Sequence, residues 1–105
     1  MTEIEAFLYG GVLPAGAVCV RKIGFADSSL SVSLVEVPSG TEWAVLTFPQ
    51  AVVSSIWFDD TEAIEWPLDI MGFDCSRAGS SWKFVLNCSS VEFMWTAEWP
   101  SKTRR

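Results

Sequence analysis

The segment Trp82-Lys83-Phe84-Val85-Leu86-Asn87-Cys88-Ser89-Ser90-Val91-Glu92-Phe93-Met94-Trp95-Thr96-Ala97-Glu98-Trp99 alternates twice, with a polar break in the middle. Its first half sets Trp82, Phe84, Leu86 and Cys88 against Lys83, Val85 and Asn87. Its second half sets Val91, Phe93, Trp95, Ala97 and Trp99 against Glu92, Met94, Thr96 and Glu98. Successive side chains of a strand point to opposite faces, so a period of two marks a strand with one face buried. The break from Asn87 to Ser90 then reads as the turn of an antiparallel hairpin.

The same pattern extends toward the N-terminus. Ala17–Phe25 and Ser29–Val37 alternate on either side of Asp27-Ser28, whose residue types favour a turn. The second run slips register at Leu34-Val35-Glu36-Val37, the mark of a bulge or a strand exit. Pro38-Ser39-Gly40 is another turn. Trp43–Phe48 and Ala51–Phe58 are β-rich runs parted by Pro49, which has no N–H to give to a ladder. Ile70–Cys75 is a further short strand, followed by the Arg77–Ser81 turn.

No segment sustains a helical apolar stripe. Asp60–Trp66 is the best helical candidate, and Glu3–Leu8 reads equally as helix or strand before Gly10-Gly11. The expected fold is all-β: a single antiparallel β-sandwich or strongly curved sheet of six to seven strands. Residues 1–100 form a single β-rich domain and 101–105 a flexible basic tail.

Composition narrows the chemistry. The chain has six tryptophans and no histidine. Histidine is the usual proton shuttle near neutral pH, and its absence argues against triad and zinc chemistry. Cys19, Cys75 and Cys88 are odd in number and widely spaced, which fits isolated thiols in a reducing compartment better than a disulfide framework. The acidic start Met1-Thr2-Glu3-Ile4-Glu5 is unlike a secretory signal, and the expected location is cytoplasmic. Residues 1–100 hold 4 basic residues against 13 acidic, a net of −9, which disfavours nucleic acid and favours a basic protein partner.

The densest acidic run is Trp57-Phe58-Asp59-Asp60-Thr61-Glu62-Ala63-Ile64-Glu65-Trp66-Pro67-Leu68-Asp69. Carboxylates ringed by aromatics suit the Lys and Arg side chains of a partner, through charge-assisted bonds and cation–π contacts. The candidate partner-binding residues are therefore Trp57, Asp59, Asp60, Glu62, Glu65, Trp66 and Asp69. The competing reading is a solvated loop with its aromatics tucked into the sheet. A calcium loop would need a D-x-[DN]-x-[DN]-G pattern that the run lacks. Asp59, Asp60, Glu62 and Glu65 suit glycosidase chemistry only by residue type. No nucleophile has a base in its sequence context, and no phosphate or dinucleotide fingerprint occurs. No catalytic residue, cofactor or metal is expected. Alternation assigns Trp43, Trp82 and Trp95 to the core, which leaves Trp57 and Trp66, with Trp99, for a surface role.

Leu46-Thr47-Phe48 leading to Ile56-Trp57-Phe58, the step Asp69-Ile70-x-Gly72, Trp82-x-Phe84 and Val91-Glu92-Phe93 together give a layout that resembles small acidic immunity proteins of bacterial polymorphic and contact-dependent toxin systems. Related bacterial β-domains share that layout. The resemblance implies a non-enzymatic inhibitor that covers the active site of a basic toxin. It carries over no individual residue. Two other functions are open on the sequence: a module that self-associates through a sheet edge or aromatic patch, and a binder of small apolar ligands.

Overall fold

In the computed structural model, residues 2–10, 18–37, 39–58 and 64–104 are described. They form one helix, α1 (Glu3–Tyr9), and eight strands. The strands are β1 (Val18–Ala26), β2 (Ser29–Glu36), β3 (Glu42–Phe48), β4 (Val52–Phe58), β5 (Leu68–Ala78), β6 (Ser81–Cys88), β7 (Val91–Ala97) and β8 (Ser101–Arg104). All belong to one antiparallel sheet in the order β4-β7-β6-β5-β1-β2-β3-β8, open at both ends. The antiparallel all-β expectation holds, with eight strands in place of six to seven.

Among the described residues, the two halves of the sheet join through two residue pairs, Cys19↔Asp69 and Val20↔Leu68. So narrow a seam lets the halves turn their apolar faces toward each other. Phe48 of β3 meets Phe84 of β6 at 4.8 Å and Trp95 of β7 at 5.0 Å, both edge to face. Phe73 of β5 lies 6.3 Å from Phe48. These four rings are buried and form the centre of the core. Edge-to-face geometry sets the positive edge of one ring on the negative face of another, and adds to the gain from burial.

Local chemistry explains the turns and bends. Asp27 and Ser28 both have positive φ, 51° and 64°, and make a two-residue hairpin between β1 and β2. Such loops match the right-handed twist of the flanking strands. The expected irregularity in β2 is a register shift between Leu34 and Val35 against β3. Further shifts occur in β1, β4 and β5, and bulges of this kind bend a strand.

The ambiguous N-terminal segment is helical because it carries a capping box. The Glu5 backbone N–H donates to Thr2 Oγ1 (3.2 Å), and the Thr2 N–H donates to Glu5 Oε1 (2.9 Å). Gly10, at φ 62°, ends the helix in the left-handed conformation. Ile4 and Leu8, one turn apart, bury the helix against the core, and Thr2 Oγ1 donates to the Phe73 carbonyl of β5 at 2.6 Å. The other helical candidate lies mostly outside the described residues, and its last two, Glu65 and Trp66, are irregular.

The C-terminal residues correct the expectation of a flexible basic tail. Ser101–Arg104 pair with β3, from Thr47↔Ser101 to Ala44↔Arg104. Lys102 donates to the Phe7 carbonyl at 2.8 Å and lies over the Phe7 and Trp43 rings, each 5.4 Å away. Arg104 stacks over Trp43 at 4.7 Å. The cations are held because Trp43 offers a face and Phe7 an acceptor, so the basic residues serve as a strand. Among the described residues no helix is long and apolar enough to cross a membrane.

Candidate functional site

The candidate residues fall in three places. Asp59, Asp60 and Glu62 lie outside the described residues. Glu65, Trp66 and Asp69 come together on the segment entering β5, where they line a recess of about 430 Å³ with Pro67, Leu68, Ser89 and Ser90. Trp57 stands apart on β4, opposite Glu92 of β7. The register puts Trp57 on the outer face with Val52 and Ser55, because their partners Glu92, Thr96 and Met94 alternate with core residues.

Asp69 is exposed, and its Oδ1 accepts from the Cys19 thiol at 3.2 Å. Burial, then this bond and the charge of Asp69, push the Cys19 thiol up to about 11. Burial pushes Cys88 up to about 12, with smaller effects from Cys19 and Asp69. Both sulfurs are thus held as neutral thiols at neutral pH, which makes them poor nucleophiles. All three cysteines are free. No group of three His, Cys, Asp or Glu side chains among the described residues is placed to hold a metal ion.

The surface that sequence reasoning missed is β4 itself. It ends the sheet, all seven of its residues are exposed, and none carries a charge. Val52 is 64 % exposed, Trp57 60 % and Phe58 51 %. A long, uncharged, apolar edge strand presents unpaired backbone groups and is a template for a further strand. The opposite end of the sheet is guarded: β8 has four residues, two of them cationic. The only hint in the sequence is that Val52–Phe58 contains no Lys, Glu, Asp or Pro. Nothing local says that the run is an edge, since a central strand has the same composition.

A groove opens beneath this edge. Val53, Ile56 and Phe58 form its wall on β4, facing Ile23, Phe25 and Leu30 of the β1–β2 hairpin. Trp66 borders it, and Trp95 lines it together with Phe93 and Val91. Its volume is about 500 Å³, and among the described residues no ionisable side chain lines it. Trp95 Nε1 is buried and has no hydrogen-bond partner among the described residues.

The remaining tryptophans are structural. Trp43 and Trp95 are buried, and Trp82 and Trp99 meet edge to face at 4.8 Å. Trp99 also packs on Phe7 at 5.6 Å, so it belongs with the aromatic cluster under α1 rather than with an exposed surface.

A scan of protein-family models and a search of curated proteins both give no match. Among solved structures, the chain is similar to an uncharacterized protein from Neisseria gonorrhoeae, with a TM-score of 0.61 and 16 % identity over 82 % of this chain and 89 % of that one. At that identity the likeness is one of fold.

Proposed function

We propose that this chain is a non-enzymatic protein-binding domain that takes up an extended segment of a basic partner along β4. The carrying observation is the exposed, uncharged, seven-residue apolar strand at the end of the sheet. Strand addition supplies affinity through main-chain hydrogen bonds, and side-chain pockets on the two faces supply selectivity. Exposed Trp57 is an anchor on the outer face, and indoles are enriched at binding hot spots. The net charge of −6 and the acidic run that follows β4 favour a cationic partner and speed its encounter. A basic toxin domain fits this partner description, as the resemblance to immunity proteins implies.

The second reading is self-association through the same strand, favoured by the absence of charge along it, since two copies would meet there without like-charge contact. One experiment separates them. Hydrogen exchange is followed with and without a short, extended Lys/Val-alternating peptide, and mass is read by light scattering. Partner binding predicts that the peptide slows exchange in β4 of a monomer and that Ser55→Lys removes the effect. A stable dimer whose β4 is protected without peptide would select self-association. Unprotected β4 in both conditions, in a monomer, would overturn strand addition altogether.

A further inference from the structure

Trp57 has a carboxylate for a neighbour. It pairs with Glu92 of β7, and Glu92 pairs with Asn87 of β6, so the three stand in one row across the outer face of the sheet. Residues directly opposed in an antiparallel pair hold their side chains side by side. Trp57 is exposed and Glu92 half-buried. Of the seven residues of β7, Glu92 alone is charged. Among the described residues it makes no ion pair, because the cations have other places. Lys102 and Arg104 lie over Trp43, Arg21 is bonded to Glu42, and Arg77 lies over Trp82. Lys83 pairs with Thr96, four residues along β7 from Glu92 or roughly 13 Å. The row between them, Ser55–Met94–Val85, carries no charge.

A strand added to β4 sets one of its own residues opposite Trp57 on this face. Two strand spacings, roughly 10 Å, then separate that residue's backbone from β7. A Lys or Arg side chain crosses the gap together with Glu92: its aliphatic stem lies along the indole and its cationic head meets the carboxylate. An apolar side chain covers the indole but leaves Glu92 unpaired, and an acidic one meets a like charge. We propose that the Trp57–Glu92 row is a cation subsite that takes one Lys or Arg of the added strand and so sets its register. The inference rests on strand addition at β4. It narrows the basic character of the partner from an overall charge to one outward-facing position of its strand. Overall charge speeds encounter from a distance, whereas this row selects by contact.

The test is a double-mutant cycle between the full chain and two capped Thr/Val-alternating peptides. One carries a single central lysine, the other norleucine, which keeps the stem and lacks the ammonium. Affinities are measured by calorimetry, and hydrogen exchange reports whether β4 is covered. Both peptides should slow exchange in β4, and the lysine peptide should bind the parent about tenfold more tightly. Glu92→Gln and Trp57→Leu, each at an outer-face position, should each cut that preference to about threefold. Glu98→Gln removes the same charge away from the row and should leave the preference unchanged. Protection of β4 with equal affinity for the two peptides would overturn the subsite and leave strand addition standing. So would a preference that survives Glu92→Gln, or one that Glu98→Gln lowers as much. Absence of β4 protection with either peptide would overturn strand addition, and the subsite with it.

Discussion

Cys19 and Cys88 show how a residue's surroundings redirect its chemistry. Their thiols are pushed up from 9.0 to about 11 and about 12, by burial above all. The folded protein therefore holds these protons more tightly than the unfolded chain does. Their contribution to stability is complete below pH 9.0 and is lost as pH rises through about 11 and about 12. Thermal midpoints should hold steady from neutral pH to about 9 and then fall. The fall should be shallower in a Cys19→Ala, Cys88→Ala variant compared at the same pH values. Equal slopes in the two proteins would remove the thiols from the account. That the cysteines are free thiols was legible in their spacing. Which of them touches Asp69 was not, because the contact spans fifty positions of chain.

Among single residues, the tryptophans divide as alternation predicts for Trp43 and Trp95, which are buried, and for Trp57 and Trp66, which are exposed. Trp99 departs from the expectation because α1 brings Phe7 against it, a contact between the two ends of the chain.

The strands were readable wherever one face is buried and the other wet, as in β6 and β7, whose pairing runs from Trp82↔Ala97 to Asn87↔Glu92. The helix was readable in principle from Thr2-x-x-Glu5, a capping signature that outweighs a short and ambiguous apolar pattern. Strand β8 was not. Ser101–Arg104 has no apolar alternation, and its order comes from β3 and from the Trp43 face. Its removal is therefore informative. Deleting residues 101–105 should uncover the β3 edge, free the Phe7 carbonyl and expose Trp43. The loss should be roughly 3–6 kcal/mol, summing three cation–π contacts and a charge-assisted hydrogen bond. Urea unfolding of the truncated chain would then show a lower midpoint. An unchanged midpoint would mean that the strand adds nothing to stability.

For β4 the failure is of another kind. Its sequence is that of a good strand, and it is one. What could not be read is its place in the order, beside β7 and at the end of the sheet. Strand order depends on which partners each neighbour has already taken, and that is a property of the whole topology.

The molecule as a whole is acidic and asymmetric, with its cations of β8 at one edge of the sheet and the uncharged β4 at the other. Neutralising Asp59, Asp60, Glu62 and Glu65 removes four negative charges from a net of −6, leaving −2. Association with a cationic peptide should slow by roughly tenfold at low ionic strength, with little difference from the parent at high salt. Stopped-flow Trp fluorescence would measure it. A rate unchanged at low salt would sever the acidic run from partner encounter while leaving strand addition at β4 intact.

Composition and period settled the fold class, the antiparallel hairpins, the bulge near Leu34 and the lack of histidine chemistry, because each rests on neighbours a few residues apart. The tertiary structure decided that one sheet folds its halves together, that the basic end is a strand, that Trp57 parts from Trp66 and Asp69, and that a groove lies under β4. Each of these depends on residues far apart in the chain meeting across a core. Local pattern determines which way a side chain points within its strand. Only the packed fold determines what lies opposite it.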